Sequence, residues 1–365
     1  MTASTADALL KHSVSDPSHR VLIMAPSQGL GGGIERYIET LEWSFNLLGV
    51  SCQRIDLHGT GIRAHMPMLS HGRKLLRASG EPTRLIVCHR ALMPVATLLA
   101  REPAVQGMSV LCYGSEVWGQ RLRLRKKIEQ YLMTRSSVRV VAISSFTAGA
   151  LARNFNSAIL PPGLSRDWFD ALVSAPSAER QPDEGVRIVT AFRLASWREK
   201  GLPELIDALS ALGQRNIRLT ICGSGDPPTD LLLLLKAHRW CTLRVGLSDT
   251  DLARQLATAD LFVLATRTQP GPHPSGEGFG LVLLESQVAG TPVVAPAYGG
   301  SRDAYVEGVT GYAPVDETPD ALVGLLGMML DDPARLASMG KRAAEWARES
   351  FHPDQYAQLV ARKLL

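Results

Sequence analysis

Short apolar runs alternate with helix-patterned stretches along most of this 365-residue chain, and that alternation limits what it can fold into. It opens with Val21-Leu22-Ile23-Met24-Ala25, crosses a glycine loop and enters an amphipathic stretch from Ile34 to Leu48. Leu85 to Cys88, Ser109 to Tyr113 and Arg139 to Ile143 repeat the theme, each followed by helical pattern. A strand that returns to its sheet through a helix runs parallel to its predecessor, so this order predicts a parallel sheet covered by helices. Residues 161–185 interrupt it with Pro161-Pro162-Gly163, Ala175-Pro176-Ser177 and Gln181-Pro182-Asp183-Glu184-Gly185, a linker composition. A second series starts at Val186-Arg187-Ile188-Val189-Thr190 and continues through Ile217 to Cys222, Leu243 to Val245, Leu261 to Leu264 and Pro292 to Ala295. The expected division is a polar tail over 1–19, an N-terminal Rossmann-like domain over 20–165, a linker over 166–185, a second Rossmann-like domain over 186–348, and a terminal helix within 349–365. Two doubly wound sheets leave a cleft between their strand carboxyl ends, where ligands of such folds bind.

Composition narrows the class. Hydrophobic residues make up 45% and charged residues 20%, the balance of a soluble globular chain. The longest apolar runs, such as Leu231 to Leu235, are too short to span a bilayer, and the first 19 residues carry no apolar signal core. The five cysteines form no C-x-x-C pair, and three of them sit in strand-like runs. That favours buried thiols in a reducing cytoplasm over a disulfide frame, and no His/Cys spacing suits zinc, so no metal is expected. Nor do aromatic residues interleave with basic ones as in nucleic-acid binding.

The most informative segment is Gly276-Glu277-Gly278-Phe279-Gly280, followed by an apolar helical run, Glu285 and Gly290. A helix opening after Gly280 points unsatisfied N–H groups and the positive end of its dipole at whatever lies before it. One carboxylate precedes this helix and one lies two turns inside it. Eight helical residues span about 12 Å. The paired carboxylates of a glycosidase stand only about 5–9.5 Å apart. The spacing therefore suits the two ends of an extended ligand better than one scissile bond.

The segment resembles the E-x7-E signature of the family-4 retaining glycosyltransferases of the GT-B fold, and the likeness extends over roughly residues 20 to 360. The resemblance implies two Rossmann-like domains facing across a cleft, with a C-terminal helix crossing back to the first. It also implies that Glu277 meets the donor sugar, that Glu285 meets the ribose, and that the amides of Phe279, Gly280 and Leu281 face sugar and phosphate. Gly32-Gly33-Ile34-Glu35 resembles the family's first glycine loop, which faces the donor phosphates, although a strand–glycine–helix turn is also consistent with a dinucleotide fingerprint or a plain tight turn. Asp56 is the nearest candidate for the acidic partner a dinucleotide site needs.

Arg193 and Lys200 lie between the first strand of the second half and its helix, at the carboxyl edge of the sheet. Two cations there can neutralise a leaving diphosphate, Arg by a bidentate fork and Lys as a point charge. The stretch resembles the family's Arg…Lys-Gly motif, and Arg198 is the competitor for either position. Gly223-Ser224-Gly225-Asp226 and Val245-Gly246-Leu247-Ser248-Asp249 match family turns, the second lining the base pocket through backbone; Gly299-Gly300 with Asp303 resembles a late Gly-Gly-x-x-Glu turn with Asp in place of Glu. Cys112-Tyr113-Gly114-Ser115-Glu116-Val117-Trp118 resembles the family's His-Gly-Ser-Asp-Val-Trp element but carries Tyr113 in place of the His. Tyrosine titrates near 10 and is a poor base at neutral pH. The resemblance puts Tyr113 and Glu116 on the acceptor side, and His89, at a strand end, either joins them or starts a helix.

Residues 121–135, RLRLRKKIEQYLMTR, hold six Arg or Lys against one Glu. A basic helix of this kind either docks on anionic lipid, each charge giving about 1 kcal/mol, or is a solvated face. Taken together, the chain is expected to be a cytoplasmic, metal-independent, retaining hexosyltransferase, peripheral to the inner face of the cell membrane if the basic helix docks there. It binds no cofactor and takes a nucleotide-diphosphate sugar, UDP- or GDP-linked, as donor substrate for a glycan, glycolipid or lipid-linked acceptor. The alternatives are a nucleotide-sugar-binding protein without transferase activity and an NAD-dependent dehydrogenase.

Overall fold

The computed structural model describes residues 20–26, 32–59, 62–114, 123–176, 185–213, 216–269 and 275–365, with backbone alone at 62 and 123–126. In the N-terminal half the elements run β1 (Arg20–Ala25), α1 (Gly33–Leu47), β2 (Cys52–Asp56), α2 (Ile62–Ser79), β3 (Thr83–Val87), α3 (Met93–Leu99), β4 (Val105–Cys112), α4 (Arg123–Met133), β5 (Val138–Ala142), α5 (Ser145–Leu151) and β6 (Ser157–Ile159). Helix α6 (Arg166–Ser174) follows. The second half runs β7 (Val186–Arg193), α7 (Leu202–Ala211), β8 (Ile217–Ser224), α8 (Thr229–Lys236), β9 (Cys241–Val245), α9 (Asp249–Ala257), β10 (Leu261–Val263), α10 (Leu281–Val288), β11 (Val293–Val294), β12 (Gly311–Tyr312), α11 (Pro319–Leu330), α12 (Pro333–Ser350) and α13 (Pro353–Leu364).

Each half is one parallel sheet, ordered β2-β1-β3-β4-β5-β6 and β12-β11-β10-β7-β8-β9. Central strands such as β1 are buried along their whole length, which is why they read as continuous apolar runs and not as alternation. Strand order reverses between β1 and β3 and between β7 and β10, and these two switch points face the interdomain cleft. Helix starts follow local chemistry: Ser144, Ser248, Thr318 and Asp332 each accept a first-turn N–H with the side chain, and Pro319, Pro333 and Pro353 occupy first-turn positions.

Three contacts outside the cavity help bind the halves. First, α13 returns to the N-terminal domain and packs on α1. Its last carbonyls, which have no intrahelical donor, accept from Ser109 Oγ (3.1 Å, at Leu364) and Arg139 Nη1 (3.0 Å, at Lys363), and Tyr356 Oη donates to the Pro161 carbonyl at 2.7 Å. Second, Asp303, just past Gly299-Gly300, accepts from the Ser145 backbone N at 2.5 Å and from Ser145 Oγ at 2.6 Å, a carboxylate at the N-terminus of α5. Third, the stretch around Gly278 lies directly on the N-terminal domain: a Cβ on Gly278 would overlap the Tyr113 carbonyl oxygen, and one on Gly300 would overlap the Gly278 carbonyl.

Part of the stretch expected as linker is ordered helix. Over Arg166–Ser174, Trp168, Phe169 and Leu172 are buried on one face, a spacing the surrounding prolines obscure.

Candidate active site

A cavity of about 490 Å³ opens between the two carboxyl edges. The N-terminal domain contributes Gly32, Gly33 and Arg36; the second domain contributes, among others, Arg193, Lys200, Gly223, Gly246, Glu277, Gly280, Leu281 and Glu285. Residues far apart in sequence are gathered by topology. Arg193 is the last residue of β7, Gly223 lies near the end of β8, and Glu277 and Gly280 lead into α10 beyond β10.

Gly280 is why α10 can begin at the cavity wall. It caps the helix at φ +82, a left-handed conformation costly for other residues, and a Cβ there would stand 2.9 Å from Leu283 Cδ1. Gly280, Leu281 and Val282 line the cavity at this helix start, while the Leu283 N–H already donates to the Gly280 carbonyl at 2.8 Å; the positive end of the helix is an anion-binding arrangement. Phe279 differs from its neighbours: its side chain is core, 2% exposed, and it is not among the residues lining the cavity.

Lys200 Nζ lies 2.8 Å from Glu277 Oε2, which also accepts from Thr266 Oγ1 at 3.2 Å. The pair fixes an ammonium and a carboxylate side by side at the mouth of α10. Across the cleft the Arg193 guanidinium packs against Gly32, where a Cβ would stand 2.9 Å from Nη2. The competitor Arg198 is directed elsewhere, stacked on the Trp197 ring at 4.0 Å and ion-paired with Asp230.

Glu285 is 5% exposed and lines the cavity two turns inside α10. Its Oε1 accepts from Trp168 Nε1 at 3.0 Å and lies 3.6 Å from Arg36 Nε. Burial pushes its carboxyl above the ordinary range; Arg36 and the Trp168 N–H oppose that rise and Asp249 adds to it. Arg36 also reaches Asp249 Oδ1 at 2.8 Å and stacks 4.4 Å from the Trp168 ring. Burial works against the Arg36 charge, but Glu285 and Asp249 outweigh it and its pKa is raised. Sequence reasoning missed Arg36 and Trp168. One signal was available: a cation in the first turn of a helix opposes the helix dipole, so Arg36 is not placed for the stability of α1.

Of the acceptor-side candidates, His89 and Tyr113 are not among the residues lining this cavity. His89 caps the turn Arg90–Leu92, its Nδ1 accepting from the Ala91 N–H at 3.2 Å. Tyr113 is 9% exposed, its ring set edge-on to Tyr37 at 6.0 Å and its carbonyl against Gly278. Glu116 lies outside the described residues. Among the described residues no group of three or more His, Cys, Asp or Glu is arranged to hold a metal ion. Asp56 does end β2, but Arg54 grips its carboxylate at 2.8 Å, and nothing joins it to the cavity.

Residues 178–346 match the family model described as glycosyl transferases group 1. A GDP-mannose-dependent alpha-(1-6)-phosphatidylinositol monomannoside mannosyltransferase of Mycolicibacterium smegmatis is 30% identical over 314 residues, spanning 82% of this chain and 80% of that protein. The chain belongs to the glycosyl transferases group 1 family. It is a glycosyltransferase of the GT-B type, and the dehydrogenase alternative falls away. The fold agrees: sucrose-phosphate synthase from Thermosynechococcus elongatus superposes with a TM-score of 0.77 at 17% identity, covering 94% of this chain and 98% of that one. Anabaena HepE, solved with UDP and glucose, superposes at 0.72 and 15% identity, covering 94% and 99%.

Proposed function

We propose that this glycosyltransferase binds a nucleotide-diphosphate sugar in the cleft, with the diphosphate between Arg193, Lys200 and the N-terminus of α10, the sugar by Glu277 and the ribose by Glu285. The observation that supports this most is that the cavity lining gathers both cations, the opening of α10 and both glutamates into one space. Transfer proceeds with retention: as the bond from the anomeric carbon to the diphosphate oxygen breaks, charge grows on that oxygen, where fixed cations and helix amides act most strongly. The acceptor hydroxyl attacks from the same face, and its proton passes to the leaving phosphate. This route needs no protein base, which accommodates Tyr113 where the resemblance would place a His.

UDP- and GDP-sugars are the favoured donors, the second because the mycolicibacterial relative is named as GDP-mannose-dependent. The same name favours a glycolipid acceptor carrying hydroxyls on its head group. Exposed Ile128 and Tyr131 beside exposed Lys127 on α4 support docking of that helix on an anionic membrane at the cytoplasmic face. No described helix is long and apolar enough to cross a membrane. Thermal-shift screening against UDP-, GDP-, ADP- and dTDP-sugars tests the donor assignment. Stabilisation by one of them, lost in Lys200→Ala and Glu285→Gln, is expected; no stabilisation by any removes the assignment.

A further inference from the structure

Arg36 stands apart from the residues discussed above, because it acts on the donor domain from the other domain. It projects from the first turn of α1, and its guanidinium meets Asp249 at the start of α9 (2.8 Å), Glu285 within α10 (3.6 Å) and the face of Trp168 on α6 (4.4 Å). Four elements from both sides of the cleft therefore meet at one planar cation. We propose that Arg36 is a positioning residue for donor binding: together with Trp168 it fixes the Glu285 carboxylate so that its Oε2 is presented to a ribose hydroxyl of the nucleotide. This rests on the donor-site reading above and deepens it.

The geometry divides the carboxylate. Trp168 Nε1 and Arg36 Nε both address Oε1, and Glu285 itself lines the cavity. A carboxylate held on one oxygen by a hydrogen bond from the Trp168 N–H and an ion pair with Arg36 is restricted in its plane, and its second oxygen in its direction. Trp and Arg suit this task because both donors are held by stacked rings, so little rotamer freedom remains to be lost on binding.

Charge is the second part. A ribose hydroxyl donates, so Glu285 must be ionised to accept from it with full strength. Burial alone disfavours that form. Arg36 is the cation that opposes it, Asp249 works in the other direction while anchoring Arg36, and Trp168 contributes a neutral donor. Arg348 on α12, the other basic side chain bonded to α10, is turned to the Val288 carbonyl at 3.0 Å. Nucleotide affinity should therefore fall as pH falls through the Glu285 pKa, and removing Arg36 should move that break upward.

The test is calorimetric titration of UDP and GDP, from pH 5.5 to 9, against the wild type, Arg36→Gln, Arg36→Lys and Trp168→Phe. A neighbouring cation lowers a carboxylate pKa by about 1–3 units, so the break in affinity for Arg36→Gln should move up by about one pH unit or more, leaving binding roughly tenfold weaker on the acid side and closing towards the wild type on the alkaline side. Arg36→Lys keeps the charge and should hold the break near its wild-type position. Trp168→Phe keeps the ring but loses the Nε1 donor, and should shift the break in the same direction by less; it tests the idea even if Arg36→Gln folds poorly. Superimposable pH profiles would overturn the inference. So would a deficit of Arg36→Gln that is constant at every pH, which would make Arg36 a direct ligand contact. If the wild type binds neither nucleotide, the donor-site reading itself fails, and this one with it.

Discussion

Lys200→Ala is the substitution whose consequence can be worked most directly from the structure. Lys200 Nζ lies 2.8 Å from Glu277 Oε2, and both side chains line the cavity beside the N-terminus of α10. In the proposed reaction this ammonium faces the bridging oxygen as it takes up charge. A unit charge at about 4 Å and an effective dielectric near 20 contributes roughly 4 kcal/mol. Removing one charged or oxyanion-stabilising donor in other enzymes costs about 2.7–4 kcal/mol. Since each 1.36 kcal/mol is a factor of ten, kcat/KM should fall by about 10²–10³-fold. The fold should be little affected, because Lys200 lies in a loop between β7 and α7 and its side chain is 27% exposed. The assay is initial-rate transfer with the cognate donor, paired with a melting curve. Arg193→Ala run alongside should lose a comparable factor. A loss below fivefold in Lys200→Ala, with the melting temperature unchanged, would refute the leaving-group role and leave the Lys200–Glu277 pair as a positioning contact.

Three further outcomes follow from the same arrangement. Glu277→Gln should lower kcat with little change in nucleoside-diphosphate affinity, whereas Glu285→Gln should weaken that affinity about tenfold by replacing a charged acceptor with a neutral one; calorimetry and initial rates separate the two, and interchanged effects would reverse the sugar and ribose assignments. The product should keep the donor's anomeric configuration in excess EDTA, as read by NMR; inversion, or activity lost to EDTA and restored by manganese, would contradict the mechanism. Replacing Arg121, Arg123, Arg125, Lys126 and Lys127 by Gln should abolish co-sedimentation with anionic vesicles at low salt while leaving transfer to a water-soluble acceptor intact, since such attraction is screened within about 8–10 Å at physiological salt; equal sedimentation would leave α4 as ordinary surface.

The sequence disclosed the architecture well, because buried parallel strands announce themselves as apolar runs, and all of β1, β3, β4, β5, β7 and β8 overlap the runs read from it. It disclosed much less where an element is short or mixed. β2 carries Gln53, Arg54 and Asp56 among five residues, β6 has three residues and β12 two, and none has a periodicity to read. Helix α6 was hidden by the prolines around it. The site divides the same way. Arg193, Lys200, Glu277, Gly280 and Glu285 lie in short local motifs that the sequence displays, and the structure places all five around one cavity. The pairs Arg36–Glu285, Trp168–Glu285 and Ser145–Asp303 join residues 249, 117 and 158 positions apart, and such pairings leave no local pattern.

The lining of the cavity bears on the proposed nucleotide. It includes the charged side chains of Arg36, Arg193, Lys200, Glu277 and Glu285 together with Gly246, Leu247 and Leu252, which carry no charged side chain. A ligand that matches this lining carries negative charge for the cations, hydroxyls for the carboxylates and a weakly polar part for the uncharged wall. A nucleotide-diphosphate sugar has those parts, its diphosphate suiting the cations and its sugar and ribose hydroxyls suiting the two carboxylates. In the proposed arrangement the base lies by Gly246, where a glycine offers only backbone groups to read it. A base read by backbone N–H and C=O groups is specified by the path of the chain after β9, and a uracil and a guanine make different demands on that path while leaving the residues that form it unchanged.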